Sequence, residues 1–104
     1  MRHLKNIHPG EVLREEFLGP MGITVYRIAK ETGLSQTRLS QIIKKKRGIT
    51  AETALKLGRF FSVPPEFWLN LQALYDIEEA QKQHGRELEF IHPFQAHEHE
   101  HATV

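Results

Sequence analysis

No cysteine occurs in the 104 residues, so disulfides, thiolate metal sites and cysteine nucleophiles are excluded, and a reducing cytosol is the expected compartment. Aspartate is nearly as scarce. Asp76 stands alone, and no Ser-His-Asp or paired-carboxylate arrangement can be argued from spacing. Glu15 and Glu16 fall on the exposed face of a first helix, and no nucleophile has a nearby base, so no enzymatic activity is expected. No stretch approaches the roughly 20 apolar residues of a membrane span, and the opening MRHLKNIHPGEV lacks the apolar run of a secretion signal. The chain is expected to be soluble and cytoplasmic, with no cofactor and no membrane partner.

Net charge is also small, +1, but its distribution is uneven. From Thr24 to Thr50 seven bases face Glu31 alone, a local balance of +6; from Glu66 to Val104 two bases face eight acids, a balance of −6. Such asymmetry points to a middle that faces nucleic acid and an outward acidic end. With 39% hydrophobic and 26% charged residues, the chain has the composition of one compact domain followed by a tail.

Caps and breakers place five helices. The first follows His8-Pro9-Gly10, with His8 as an N-cap or packing residue and Val12, Leu13 and Phe17 as its apolar stripe; Gly19, Pro20 and Gly22 end it. Thr24 caps the second, which carries Ile28 and Ala29 inward and stops at Gly33. Ser35 caps the third only two residues later, so the two helices must cross steeply. The fourth starts at Thr50, presents Ala54, Leu57 and Phe61 to the core, and ends at Ser62-Val63-Pro64-Pro65. The fifth, from about Pro65 to Gln83, is apolar on two sides. Trp68, Phe67, Leu71, Leu74 and Tyr75 occupy one sector, while Leu69, Ala73, Ile77 and Ala80 occupy another, and a small domain covers only one such stripe by itself. The second sector is therefore the expected dimer or partner face, the alternative being a helix sunk deeper in the core. Past Gly85 the helical period is lost, and residues 87–94 are expected to form a short strand or arm. The fold class is all-α, with residues 1–83 forming the domain, its dimerisation helix at 65–83, and residues 84–104 an acidic, histidine-rich tail.

The third helix carries the most informative surface. At roughly 100° per residue, Leu39, Ile42 and Ile43 face inward while Thr37, Ser40, Gln41 and Lys44 face out. Lys44, Lys45, Lys46 and Arg47 close it. A small residue at Ala29, a glycine at Gly33 and apolar anchors at Leu39 and Ile43 are the spacing of a helix-turn-helix, whose second helix enters the major groove. Short polar side chains there meet base edges by hydrogen bonds, and the basic block meets the phosphate backbone. The bland alternative is a solvated helix whose basic end complements its dipole. Turn spacing, charge segregation and polar face together favour the nucleic-acid reading.

His97, His99 and His101 alternate with Glu98 and Glu100, so an extended chain would set three imidazoles on one side, within reach of one zinc or nickel ion. A chain end without a rigid supporting shell usually binds metal adventitiously, and no metal site is expected.

Three segments, HPGEVLREEFL at His8 to Leu18, RGITAETALKLGRFF at Arg47 to Phe61 and PPEFWLNLQALYDIEEA at Pro65 to Ala80, resemble the HigA-type (VapI-like) antitoxins of the lambda repressor/Cro-like (XRE) helix-turn-helix class. They cover about three-quarters of the chain. The resemblance implies a five-helix lambda repressor-like domain, a homodimer, binding to double-stranded operator DNA in its own promoter, and neutralisation of a HigB-type toxin, a small ribonuclease that cuts messenger RNA on the ribosome. A stand-alone or phage-type repressor is the alternative. Gln36 matches the glutamine that opens the recognition helix of this class, and Thr37, Arg38, Ser40 and Gln41 occupy its usual base-contacting positions. Thr24, Arg27, Lys44, Lys46, Arg47 and Thr50 are the expected phosphate contacts. Val25 stands where many members carry a glutamine, and Lys45 where relatives often carry glycine. A left-handed lysine costs about 1 kcal/mol, so the third helix is expected to run longer here.

Overall fold

Three hydroxyls each accept a backbone N–H at a helix start: Thr24 Oγ1 from Arg27 (3.1 Å), Ser35 Oγ from Arg38 (3.0 Å) and Thr50 Oγ1 from Thr53 (3.3 Å). They cap α2 (Val25–Thr32), α3 (Gln36–Ile43) and α4 (Ala51–Phe61) in the computed structural model, which describes residues 6–95. The remaining elements are α1, continuous over residues 9–21, and α5 (Pro65–Glu89). Every regular element among the described residues is helical. None of these helices is long and apolar enough to cross a membrane.

The core draws on all five helices: Leu13, Ile28, Leu39, Ile42, Ala54, Leu57 and Trp68 are fully buried. Trp68 is its centre. Phe17 lies 5.1 Å and Phe61 6.4 Å from the indole ring, in the tilted arrangements aromatic pairs prefer. Leu34 and Ile49, from the segments either side of α3, complete the cluster. The α3 helix therefore sits on the core through one stripe and keeps the other free.

Three boundaries depart from the sequence pattern. Helix α1 does not end at Gly19-Pro20; it widens into a π-turn over Leu13–Leu18 and runs on to Met21, where Gly22 at φ 64° stops it. In that wide turn Gly19 N–H bonds Arg14 C=O, five residues back. Widened turns let a helix continue where a proline has no N–H to donate. Helix α5 passes Gly85 and reaches Glu89, so the strand or arm expected at 87–94 is reduced to a short segment after Phe90. A single glycine inside a helix weakens it by about 1 kcal/mol without breaking it.

The third departure concerns Lys45. Helix α3 does not lengthen; it ends at Ile43, and Lys45 takes the left-handed conformation at φ 67°. Lys45 N–H bonds Ile42 C=O at 3.0 Å and Lys46 N–H bonds Gln41 C=O at 2.8 Å, the paired closure of a Schellman motif. Those two bonds, and a 3.8 Å ion pair from Lys45 Nζ to Glu11 Oε1, offset the strain that favoured a longer helix. Lys45→Gly is expected to raise stability by somewhat under 1 kcal/mol, because the left-handed strain of about 1 kcal/mol exceeds a half-exposed ion pair. An unfolding midpoint in urea at or below the parent's would show that the pair outweighs the strain.

Candidate nucleic-acid interface

Gly33, at φ 83°, donates its N–H to Ala29 C=O at 2.9 Å, and Thr32 Oγ1 donates to Ile28 C=O while accepting from Leu34 N–H. These bonds close the turn and hold α3 at a set angle to α2. With Leu39 and Ile42 turned into the core, Gln36, Thr37, Ser40 and Gln41 line one shallow depression together with Lys44 and Lys46. Four expected base contacts and two expected phosphate contacts thus share one continuous surface.

Arg38 lies outside that set. Its guanidinium spans to α4, 3.2 Å from Glu52 Oε1. Glu52 is also bonded by Lys56 at 3.1 Å, and Lys56 and then Arg38 hold its carboxyl below the usual value. Arg27 pairs with Glu31 across one turn at 3.3 Å, on the solvent-facing side of α2. Thr24 and Thr50 are occupied as helix caps, yet a hydroxyl that accepts one N–H keeps a proton; Thr50 gives its own to Thr53 Oγ1, and Thr24 retains one that can reach an anion at the start of α2.

Arg47 folds back over α3, its Nε donating to Gln41 Oε1 at 2.9 Å. Since a guanidinium only donates, the contact fixes which end of the Gln41 amide is engaged. The Nε2 of Gln41 makes no hydrogen bond among the described residues and stays available as a donor, suited to purine N7, guanine O6 or thymine O4.

The segment carrying the basic block is held from behind by residues the sequence pattern did not single out. Gln72 of α5 accepts Ile49 N–H at 2.7 Å through Oε1 and donates to Asp76 at 2.9 Å through Nε2. A Cβ added to Gly48 would come within 2.9 Å of the same Gln72 Oε1. The one signal was position: Gln72 follows Trp68 by four, a polar residue on the buried face of a helix. Gly10 packs closer still, since its added Cβ would meet Ile42 C=O at 1.9 Å. The α1 backbone rests directly on the end of α3.

His8 completes this corner as the N-cap of α1. It is buried, its Nδ1 accepts Gly10 N–H at 2.9 Å, and its ring meets Tyr75 edge-on at 4.7 Å. Burial, followed by the nearby Lys45, lowers its pKa against the opposing pull of Glu11 and Asp76. The imidazole is neutral in the folded protein and protonates more readily once unfolded. Its contribution is therefore complete above the ordinary value of about 6.5 and is lost as pH falls from there through the lowered folded-state value. The urea midpoint is expected to drop between pH 7.5 and 5.5, and His8→Asn, an N-cap that does not titrate, is expected to flatten that dependence. A parent midpoint constant over this range would refute the assignment.

On α5, Ala73, Ile77 and Ala80 are exposed, whereas Leu69 is half-buried against the core. Leu74, expected to face inward, is 66% exposed and belongs with the outer stripe. No cluster of potential metal ligands occurs among the described residues, and His97, His99 and His101 lie outside them.

Two helices joined at a left-handed glycine, the second outward-facing and ending in a lysine-rich turn, define an all-α helix-turn-helix protein. The family model described as helix-turn-helix matches residues 13–68. Virulence-associated protein I of Dichelobacter nodosus is 47% identical over 76 residues, which are 73% of this chain and 70% of that protein. Antitoxin HigA-1 of Vibrio cholerae is 37% identical over 84 residues, 81% of this chain and 79% of that one. The solved structure of Pseudomonas aeruginosa antitoxin HigA with the higBA promoter superposes with a TM-score of 0.83 at 36% identity, covering 88% of this chain and all of that one. The chain belongs to the helix-turn-helix family, in the group that includes the HigA antitoxins and virulence-associated protein I.

Proposed function

We propose that this chain is the DNA-binding antitoxin of a toxin–antitoxin pair, acting in the cytoplasm as a homodimer that occupies operator DNA of its own operon and neutralises a HigB-type, mRNA-cleaving toxin. The observation that carries this reading is the single surface shared by Gln36, Thr37, Ser40, Gln41, Lys44 and Lys46. Its polar part matches base edges in a major groove, and its cationic end matches the flanking backbone. Support for the operator comes from the P. aeruginosa HigA structure with its promoter, and for the toxin from the antitoxin names of the relatives.

In this reading Gln36, Thr37, Ser40 and Gln41 read bases. Arg38 joins them only if it leaves Glu52. Lys44, Lys46, Arg47, Arg27 and the caps Thr24 and Thr50 meet phosphates. The stripe of Ala73, Ile77 and Ala80, with Leu69 at its core-side edge, pairs two copies. Residues 1–83 form the working domain, and the acidic 84–104 segment follows it.

Operator binding by the purified chain, against a scrambled duplex, tests the central claim. The operator is expected to win by at least a hundredfold, and Gln41→Ala to lose roughly 1–3 kcal/mol of discrimination at one base pair per half-site. Equal binding of both duplexes would refute sequence reading. Full discrimination by Gln41→Ala would move the role to Gln36 or Thr37. Toxin neutralisation is tested separately, by whether the chain stops mRNA cleavage by the small basic protein encoded beside it.

A further inference from the structure

A concavity away from the α3 surface has no role in the reading above. It is lined by Thr32 at the end of α2, by Leu55, Arg59 and Phe60 of α4, and by Val63 and Pro65 where the chain turns into α5. Leu55 is 61% exposed there. At the other end of α5, Phe90, Ile91 and Phe94 are 80%, 67% and 85% exposed. Neither apolar surface is covered by the described residues.

They cannot cover each other within one chain. The 25 residues of α5 span about 37 Å at 1.5 Å per residue, whereas the run from residue 90 to 94 extends at most about 14 Å. From Ala80 onward every described residue except Gly85 is exposed, so the far half of α5 projects from the domain. The long dimension of the molecule is 60 Å and its radius of gyration 18.9 Å, against about 12–13 Å for a compact domain of this size.

A second copy brings the two surfaces together. Ile77 sits between Ala73 and Ala80, all three exposed, and the small side chains of the two alanines suit a close antiparallel crossing of two copies of the helix at that point. Counting from Ile77, Pro65 is about 18 Å away along the axis in one direction and Phe90 about 20 Å in the other. The partner's apolar arm therefore arrives level with the concavity. Pro65, Leu69, Ala73 and Ile77 are spaced by four, one ridge leading from the concavity into the crossing. Charge agrees as well: Arg59 in the concavity and Glu89 beside the arm have no ion pair among the described residues, whereas Lys56 is taken by Glu52. Resting on the homodimer reading, we propose that the arm at residues 90–94 of each chain docks in the α4–α5 concavity of a second copy, with Glu89 against Arg59.

The absence of cysteine makes the test direct. Val63→Cys with Ile91→Cys in one chain, treated with a short bis-maleimide, is expected to give a covalent dimer, and Ile77→Cys alone reports the helix crossing. Each of the other two cysteines alone is expected to give none, since its two copies lie at opposite ends of the pair. Crosslinking through Ile77→Cys but not through the 63/91 pair would overturn the arm and leave the homodimer standing. Monomeric sedimentation with no crosslink in either variant would bring down the homodimer as well. In a second measurement, Arg59→Glu is expected to weaken dimerisation roughly two- to fivefold and Glu89→Arg in the same chain to restore it; weakening without restoration would break the proposed register. Far-UV circular dichroism confirms that each variant folds.

Discussion

A Gly10→Ala protein is expected to melt roughly 12–24 °C below the parent, corresponding to a loss of about 3 kcal/mol for a domain of this size. Alanine is ordinarily the better helix former by up to about 1 kcal/mol, so propensity alone predicts the opposite sign. Contact decides it. The added methyl would stand 1.9 Å from Ile42 C=O and 2.8 Å from its carbonyl carbon, and neither atom belongs to a side chain that can swing aside. Relief requires α1 to lift off α3, which also disturbs the His8 cap and the Lys45–Glu11 pair. Differential scanning calorimetry reads the shift; a Tm within 3 °C of the parent, on the order of half a kcal/mol, would show that α1 slides freely.

Lys44→Ala with Lys46→Ala is expected to produce the largest functional loss, roughly a hundredfold in operator affinity at low salt, with secondary structure intact. The parent dimer, neutralising six phosphates, is expected to give a slope of log affinity against log salt near −5, and the double variant near −2, since four contacts are lost per dimer and each removes about 0.9. Lys82→Ala, on the projecting half of α5, serves as the control with neither change. Both lysines are exposed and neither takes part in the core, so folding does not confound the comparison. An unchanged slope would place the DNA backbone somewhere other than the end of α3.

Wherever one residue's chemistry determines the local structure, that structure was legible in the sequence. Thr24, Ser35 and Thr50 cap because a short hydroxyl side chain satisfies a free N–H, and Gly33 turns because only a residue without Cβ enters the left-handed region at no cost. The outward face of α3 followed from its period. What escaped depended on partners distant in the chain. Lys45 accepts a strained conformation because two backbone bonds and Glu11 reward it. The π-turn carries α1 past Gly19-Pro20. Gln72 acquires its meaning only when Ile49 arrives from 23 residues away. Leu74 changed sector and Leu69 lies at the core-side edge of the outer one, because helical periodicity gives an angle but not the edge at which the core stops.

The Gln72 amide sits five residues before Ile77 on the same unbroken helix, bonded to the segment that follows the lysines. In a pair built on that helix, the separation between the two reading surfaces is set by one stiff strut, with no flexible tether to absorb error. Such a protein measures its site as a caliper does: an inserted base pair moves one half-site by about 3.4 Å and turns it about the duplex, and the strut has no joint with which to follow.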